Sequence, residues 1–274
     1  MTHNIAFPKL GLDFEISRVA FSVFGKPIYW YAIIIVAGFL LGATFVARSA
    51  KKRGLDPENI WDIALYGLIF GLVGARIYYV LFDLDTIKDS IWNFFKIWEG
   101  GIAIYGAIIA AVITCYVYCR RHKLPVLKMF DFCCQGLFIG QAIGRWGNFV
   151  NAEVYGGETS LPWGMSIDGA DAVHPLFLYE SLWNALGFLI VLLVRDRIKT
   201  DGKIFSFYIL WYSFGRLLLE GMRQSEYILF LAGNVGISQV VAGIGILAGA
   251  MGLLFLKNKS QAVEVLEKDT DSEN

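Results

Sequence analysis

The sequence predicts an all-α, polytopic integral membrane protein with seven transmembrane helices and a small extracytoplasmic head. Of its 274 residues, 56% are hydrophobic and only 18% are charged, and the mean hydropathy is +0.54. Soluble domains are typically about 45–50% apolar and about 25% charged. Runs of about twenty mostly apolar residues, long enough to cross a bilayer, recur along the chain. Together these observations place most of the protein in a membrane.

Seven apolar runs have the length of a membrane span. They cover residues 28–48, 60–82, 101–119, 129–149, 176–194, 204–221 and 236–256. The fourth, sixth and seventh runs contain several polar or small residues, so we expect their helices to be partly buried against other protein. The membrane domain as a whole is predicted over residues 28–256.

The distribution of Lys and Arg between loops predicts the orientation. The segments that follow spans one, three, five and seven read RSAKKRGLD, CRRHKLPVLK, RDRIKTDGK and KNK. The loop at 154–173, on the opposite side, contains no Lys or Arg. Because short cytoplasmic loops carry an excess of Lys and Arg, the N-terminus is predicted outside and the C-terminus in the cytoplasm.

The predicted outer side carries the most distinctive loops. Residues 83–100 include WNFFKIWEGG, an aromatic, amphipathic stretch suited to the membrane interface. Residues 151–174 are rich in Gly and turn residues and predict the extracytoplasmic head. Residues 1–27 predict a further outer or interfacial segment. Residues 257–274 are polar and acidic, and predict a disordered cytoplasmic tail.

Composition and spacing argue against several classes of protein. The net charge is zero, so the chain has no basic excess for nucleic acid. The cysteines are Cys115, Cys119, Cys133 and Cys134, and the histidines are His3, His122 and His174. The cysteines lie in apolar runs without CxxC spacing, and the histidines are scattered, so neither a metal site nor a cofactor is predicted. The N-terminal residues lack the pattern of a cleaved signal peptide.

Three arginines lie within predicted spans at a similar depth. Arg76, Arg145 and Arg216 belong to spans two, four and six, and Glu153 and Glu220 fall on the same side. A charge at the bilayer centre costs about 2.5–3.5 kcal/mol on insertion scales. A single arginine near a helix end often snorkels to the interface. Three from separate helices favour an anion-binding pocket, since guanidinium groups bind phosphate in a bidentate manner.

The residues around two of these arginines add to this prediction. Tyr212, Arg216 and Glu220 follow one another at four-residue intervals, which places them along one helix face. Gly144 and Gly147 flank Arg145 and permit close backbone approach. Asn148 and Asn151 follow, for which capping of the helix end is an equally good explanation.

The motif GRWGNFVNAEVYG at 144–156 resembles the signature of the bacterial prolipoprotein diacylglyceryl transferases, G-R-x-G-N-F-x-N-x-E followed by Gly. Four other segments resemble elements of the same family: PIYWYAIII, GARIYYVLF, HPLFLYE and YSFGRLLLEGMRQSE. The resemblance covers roughly residues 27–256 and agrees with seven spans and an outer N-terminus.

The resemblance implies an enzyme of the bacterial cytoplasmic membrane whose active site faces the outer leaflet. Its substrates are phosphatidylglycerol and prolipoproteins with a lipobox cysteine. It transfers the diacylglyceryl group to the cysteine thiol, forming a thioether and releasing glycerol-1-phosphate, in the first step of lipoprotein maturation. The implied catalytic residues are Arg145, Arg216, Tyr105 and Tyr212. The implied substrate-binding residues are Arg145, Asn148, Glu153, Gly156, Tyr31, Arg76, Glu220 and His174.

The chain departs from the family pattern where a general base is expected. Many members carry His-Gly-Gly in the third helix, whereas this chain has Tyr105 and Gly106 in the segment EGGIAIYGAII. A thiol has a pKa of about 8.5 and tyrosine one of about 10, so neutral tyrosine is a poor base for it. Either Tyr105 only donates a hydrogen bond, or another group is the base, or the arginines acidify the thiol. His174 is a candidate for that base, but it precedes Pro175 in an outer loop, where a structural role is the better interpretation.

Two other classes of function explain less of the sequence. Arginines within a helical bundle also suit a transporter or flippase for an anionic solute or lipid. Transporters usually place their site near the bilayer midplane between repeated halves. Here the charges gather towards one face and no repeat is visible. A membrane scaffold without catalytic activity leaves the three arginines unexplained.

Overall fold

The computed structural model describes residues 2–88, 90–223, 230–232 and 235–256. The tail at 257–274, predicted to be disordered, lies outside these residues.

Within this part of the chain, seven α-helices account for the seven predicted spans. They are α1 (Trp30–Lys52), α2 (Glu58–Phe82), α3 (Ile104–Arg121), α4 (Val126–Asn151), α5 (Leu176–Val194), α6 (Lys203–Glu220) and α7 (Ile237–Phe255). The prediction of a mostly helical, polytopic membrane protein is confirmed, with helix ends within a few residues of those expected. The orientation of the termini stays a prediction.

Six of these helices are long and apolar enough to cross a membrane by length and composition, and α6 is the exception. Its 18 residues include Lys203, Arg216 and Glu220. At about 1.5 Å per residue its length still suffices for most of a bilayer core. The polarity is concentrated at its two ends, and Arg216 and Glu220 form an ion pair with each other. A charged pair of this kind is expected where a helix lines a site rather than lipid.

The chain divides into two compact units. One comprises residues 1–42 with 134–274, and the other residues 43–133. The core of the second unit is formed by buried residues that include Val46, Ile60, Cys119 and Phe132. In the first unit, α1 approaches α4 at Gly42, where an added Cβ would lie 2.7 Å from the carbonyl oxygen of Gly136. Small residues commonly allow such close helix contacts in membranes.

Short strands, which the sequence did not predict, occupy the N-terminal segment, part of the head and part of the connection between α6 and α7. They are β1 (Thr2–Phe7), β2 (Leu12–Ser17), β3 (Val19–Val23), β4 (Lys26–Tyr29), β5 (Ser166–Ile167), β6 (Phe230–Ala232) and β7 (Val235–Gly236). Strands β2, β1 and β5 form one antiparallel sheet in that order. The predicted outer segment and the predicted head are therefore joined in one structure.

This sheet is anchored by a small apolar core and by a hydrogen bond between His3 and Asp168. Ile5 and Phe7 of β1 are buried against Met165, Val173 and Phe177. His3 Nδ1 lies 2.7 Å from a carboxylate oxygen of Asp168. The hydrogen bond from His3 lowers the pKa of Asp168 below its usual value.

Helix α5 is bonded to both of its neighbours in the first unit. Ser181 donates to the carbonyl of Ala142 in α4 at 2.8 Å and accepts from the indole of Trp146 at 3.2 Å. On α6, Trp211 stacks on Trp183 with ring centroids 4.3 Å apart. Each indole of that pair donates to the backbone carbonyl of the other residue, at 2.9 and 3.0 Å. Helices α4, α5 and α6 are thus fixed at the level of residues 145, 180 and 216.

Candidate active site

Two of the three predicted arginines meet at one glutamate. Arg145 of α4 places Nη2 2.5 Å from Oε2 of Glu180, on α5. Arg216 of α6 places Nη1 3.7 Å from Oε1 of the same carboxylate. The Glu180 side chain is only 8% exposed, so this carboxylate is bound between two cations in a largely dry environment. Three helices therefore contribute one charged group each to a single site.

The ion pairs continue from Arg216 to the end of α6. Arg216 Nη2 lies 2.8 Å from Oε2 of Glu220, whose side chain is 1% exposed. The same oxygen lies 3.5 Å from Nη1 of Arg223, just beyond the helix. The predicted alignment of Arg216 and Glu220 is thus seen as a direct contact. Glu220 holds the guanidinium of Arg216 through Nη2, whereas Glu180 lies nearest to Nη1.

A second set of contacts connects Arg145 to the C-terminal end of α4. Its Nη1 donates to Oδ1 of Asn148 at 3.3 Å. Asn148 and Asn151 each donate to Oε1 of Glu153, at 3.0 and 3.2 Å. The chain turns out of the helix through Ala152, whose φ is +51°. This turn folds Glu153 back onto the asparagines, so the signature motif forms one hydrogen-bonded group.

Gly156 lies where three segments of the backbone come together. Its N–H donates to the carbonyl of His174 at 2.9 Å, and it forms a β-bridge with Arg223. An added Cβ would lie 2.7 Å from both the Cβ of His174 and the carbonyl oxygen of Met222. Gly156 therefore acts in close backbone packing beside the site, and His174 is its neighbour.

Gly156→Ala is expected to reduce transfer activity at least about tenfold and to destabilise the protein by about 1–3 kcal/mol, because a backbone segment has to move. Gly157→Ala is the matched control, since an added Cβ there meets no atom within 4 Å. Activity and thermal unfolding of both variants in detergent measure the difference. Equal behaviour of the two variants would contradict this role for Gly156.

His174 is bonded within its own loop region. Its Nδ1 lies 3.3 Å from the hydroxyl of Tyr179, which accepts a hydrogen bond from the indole of Trp163 at 2.8 Å. Its backbone N–H donates to the carbonyl of Gly157 at 3.0 Å. These contacts suit the structural interpretation of His174, and its role in binding substrate stays a prediction.

Of the predicted tyrosines, Tyr212 lies beside Arg216, and Tyr31 packs on the helix that carries Arg145. The ring of Tyr31, on α1, packs on the backbone of Gly147, where an added Cβ would lie 2.7 Å from a ring carbon. Tyr31 therefore contacts α4 two residues after Arg145 and one residue before Asn148. Tyr212 lies one turn before Arg216 and, together with Arg216 and Glu180, lines a small pocket.

Arg76 and Tyr105 belong to the second unit. Arg76 is buried and donates from Nε and both Nη atoms to the carbonyls of Asn93, Phe94, Gly100 and Gly101, at 2.5–2.9 Å. It thereby holds the segment that contains the short 3₁₀ helices Ile91–Phe95 and Ile97–Glu99. Tyr105 lies at the start of α3, with its ring 6.5 Å from that of Tyr78. A part in the reaction for either residue stays a prediction.

Sequence reasoning did not identify Glu180, Asn184 or Arg223 as site residues. Glu180 could have been identified from the sequence, because a glutamate inside an apolar span requires a cationic partner. Asn184, one turn further along α5, lines a small pocket together with Glu180, Tyr212 and Arg216. The other walls of this pocket are Trp183, Gly215 and Leu219. Throughout the described residues, no group of three or more His, Cys, Asp or Glu side chains is placed to hold a metal ion.

Comparison with known proteins identifies the family. A family model of prolipoprotein diacylglyceryl transferase matches residues 18–255. Relatives described as phosphatidylglycerol–prolipoprotein diacylglyceryl transferase include one from Finegoldia magna, 44% identical over 252 residues, which are 92% of this chain and 99% of the relative. Another, from Clostridioides difficile, is 38% identical over 244 residues, 89% of this chain and 97% of the relative. The chain that joins Arg145, Glu180 and Arg216 in this way belongs to the prolipoprotein diacylglyceryl transferase family.

Proposed function

We propose that this protein transfers the diacylglyceryl group of phosphatidylglycerol to the thiol of the lipobox cysteine of a prolipoprotein. The products are a thioether-linked lipoprotein precursor and glycerol-1-phosphate. The observation that carries the proposal is the pair of guanidinium groups, from α4 and α6, held by one buried carboxylate of Glu180. The family and the names of its relatives support the same reaction.

The arginine pair retains hydrogen-bonding capacity for a phosphate. A guanidinium group has five N–H donors. Arg216 Nη1 is 3.7 Å from Glu180, which is beyond hydrogen-bond distance, whereas its Nη2 is 2.8 Å from Glu220. Arg145 and Arg216 are 24% and 17% exposed, so their side chains are partly open rather than sealed. A phosphodiester that enters between them gains charge-assisted hydrogen bonds with little rearrangement.

The reaction requires stabilisation of negative charge on this phosphate. The sulfur of the cysteine attacks the lipid glycerol carbon that is esterified to phosphate, the S–C bond forms, and the C–O bond to phosphate breaks. The electron pair of that bond passes to the leaving glycerol phosphate, and the thiol proton passes to solvent or to a base. In the proposed mechanism, Arg145 and Arg216 stabilise the developing phosphate charge, a term that is often the largest in enzymatic catalysis. Their field also favours the thiolate.

The remaining site residues are assigned supporting roles. Glu180 and Asn148, which Glu153 supports, fix the guanidinium of Arg145, and Glu220 fixes that of Arg216. Tyr31 packs on Gly147 of α4, and Tyr212 forms part of the pocket wall beside Arg216. Basic loops on one side of the predicted spans support a multi-pass protein of the cytoplasmic membrane whose site opens to the outer leaflet.

Mass spectrometry of a lipobox peptide tests the proposal. The purified protein is incubated in detergent or nanodiscs with the peptide and phosphatidylglycerol of defined acyl chains. We expect a peptide whose mass has increased by one diacylglyceryl group, together with glycerol-1-phosphate in equal amount. A peptide with Ser in place of Cys is the control and should remain unmodified. An unmodified cysteine peptide, under conditions in which a homologous transferase modifies it, would contradict the proposal.

A further inference from the structure

Asn184 provides a buried hydrogen-bond acceptor beside the arginine pair. It is 3% exposed and lines the pocket formed with Glu180, Tyr212 and Arg216. Its position on α5, four residues after Glu180, directs it to the same side of the helix as that carboxylate. The amide of Asn184 is uncharged and takes no part in the ion pairs of Arg145 and Arg216. Those ion pairs therefore do not explain why a buried amide lies here.

The hydrogen bonding of Asn184 fixes the orientation of its amide. The side-chain nitrogen donates to the backbone carbonyl of Glu180 at 2.7 Å. A carbonyl only accepts, so the nitrogen and not the oxygen belongs there. Oδ1 then has no hydrogen-bond partner among the described residues. Buried polar atoms are rarely left without a partner, and each such acceptor requires an explanation.

The chemistry of the lipid substrate limits what this oxygen can accept. The ester and phosphate groups of phosphatidylglycerol only accept hydrogen bonds. Its donors are the two hydroxyls of the glycerol headgroup, which lie within a few bonds of the phosphate. An oxygen acceptor close to Arg216 therefore has its complement in this part of the lipid.

We propose that Oδ1 of Asn184 accepts a hydrogen bond from a hydroxyl of the headgroup glycerol, and that Asn184 is thereby a specificity-determining residue for the lipid. The inference rests on the proposed function, because it takes the phosphate to be bound by Arg145 and Arg216. With the phosphate on the arginines, one hydroxyl of the headgroup fills the small pocket between α5 and α6. A site built around a hydroxyl discriminates against lipids that lack it, since the acceptor is then left unpaired.

The test compares two lipids in one assay. Transfer to the lipobox peptide is measured with phosphatidylglycerol and with phosphatidylpropanol, whose headgroup has no hydroxyl. The wild-type protein is expected to prefer phosphatidylglycerol about tenfold in kcat/KM, the usual scale of one hydrogen bond. Asn184→Leu should lose this factor for phosphatidylglycerol, so that the preference between the two lipids disappears. The preference is a ratio measured on one preparation, so a lower yield of folded variant does not alter it.

The structure offers suitable controls. Leu186→Ala, on the same helix and 46% exposed, should keep the wild-type preference. The backbone carbonyl of Glu180 still accepts from the helix N–H in Asn184→Leu, so we expect thermal stability to be equal or higher. If Asn184→Leu keeps the preference, or lowers kcat/KM equally for both lipids, the role of Asn184 is overturned. If the wild-type protein modifies the peptide with neither lipid, the proposed function itself fails.

Discussion

Replacing Arg216 by alanine is expected to reduce kcat/KM for transfer by about 10³-fold, with expression and membrane insertion retained. The guanidinium of Arg216 is the one that contacts both buried carboxylates, Glu180 and Glu220. Its loss removes hydrogen-bond donors from the phosphate on which negative charge develops during the reaction. In other enzymes, loss of such donors lowers the rate by about 10²–10³-fold or more. The measurement is the rate of peptide modification followed by mass spectrometry.

Two further variants test whether the loss of activity is specific to the guanidinium of Arg216. Arg216→Lys keeps the charge but loses the planar, forked set of donors, so we expect an activity between those of alanine and wild type. Arg197→Ala, at an exposed position after α5, should retain wild-type activity. Wild-type turnover by a folded Arg216→Ala variant would exclude Arg216 from the reaction.

Glu180→Gln is expected to lower kcat about 10²-fold and to lower the unfolding temperature. The amide keeps the shape of the side chain but removes the negative charge shared by Arg145 and Arg216. Removing one partner from a buried ion pair typically costs about 3–5 kcal/mol, because the other charge is left uncompensated. The two guanidinium groups then repel each other, and misplacement of catalytic groups by about 1 Å can cost 10²-fold in rate.

The control for this second prediction is Glu158→Gln, in the exposed part of the same unit. It should change neither kcat nor the unfolding temperature. A folded Glu180→Gln variant with unchanged kcat and unchanged stability would show that Glu180 does not organise the arginines.

The helices could be predicted from the sequence because the bilayer fixes the length of an apolar span. Even α6, the most polar of them, was recognised from its apolar stretch. Arg145 and Arg216 could also be identified, since charges inside spans are costly and require a partner. The contact between Tyr31 and Gly147 could not be derived from spacing, because it depends on how α1 packs on α4.

Other features depend on contacts between distant parts of the chain. Strand β1 pairs with β5 through Ile5 and Ile167, and nothing local in either segment indicates a partner 162 positions away. Arg76 lies in a span just as Arg145 does, yet it contacts backbone carbonyls. The sequence does not show whether the partner of such an arginine is a backbone carbonyl or a bound anion. Glu180 stood within a recognised motif, but its bridging role appears only when α4, α5 and α6 are seen together.

The most direct measurement is an experimental structure of the wild-type protein in nanodiscs of phosphatidylglycerol, without acceptor peptide, so that the lipid is bound and not consumed. We expect one lipid whose phosphate contacts the guanidinium groups of both Arg145 and Arg216, with its headgroup towards α5 and α6. A lipid phosphate bound elsewhere in the protein, with Arg145 and Arg216 paired only to Glu180 and Glu220, would contradict this expectation.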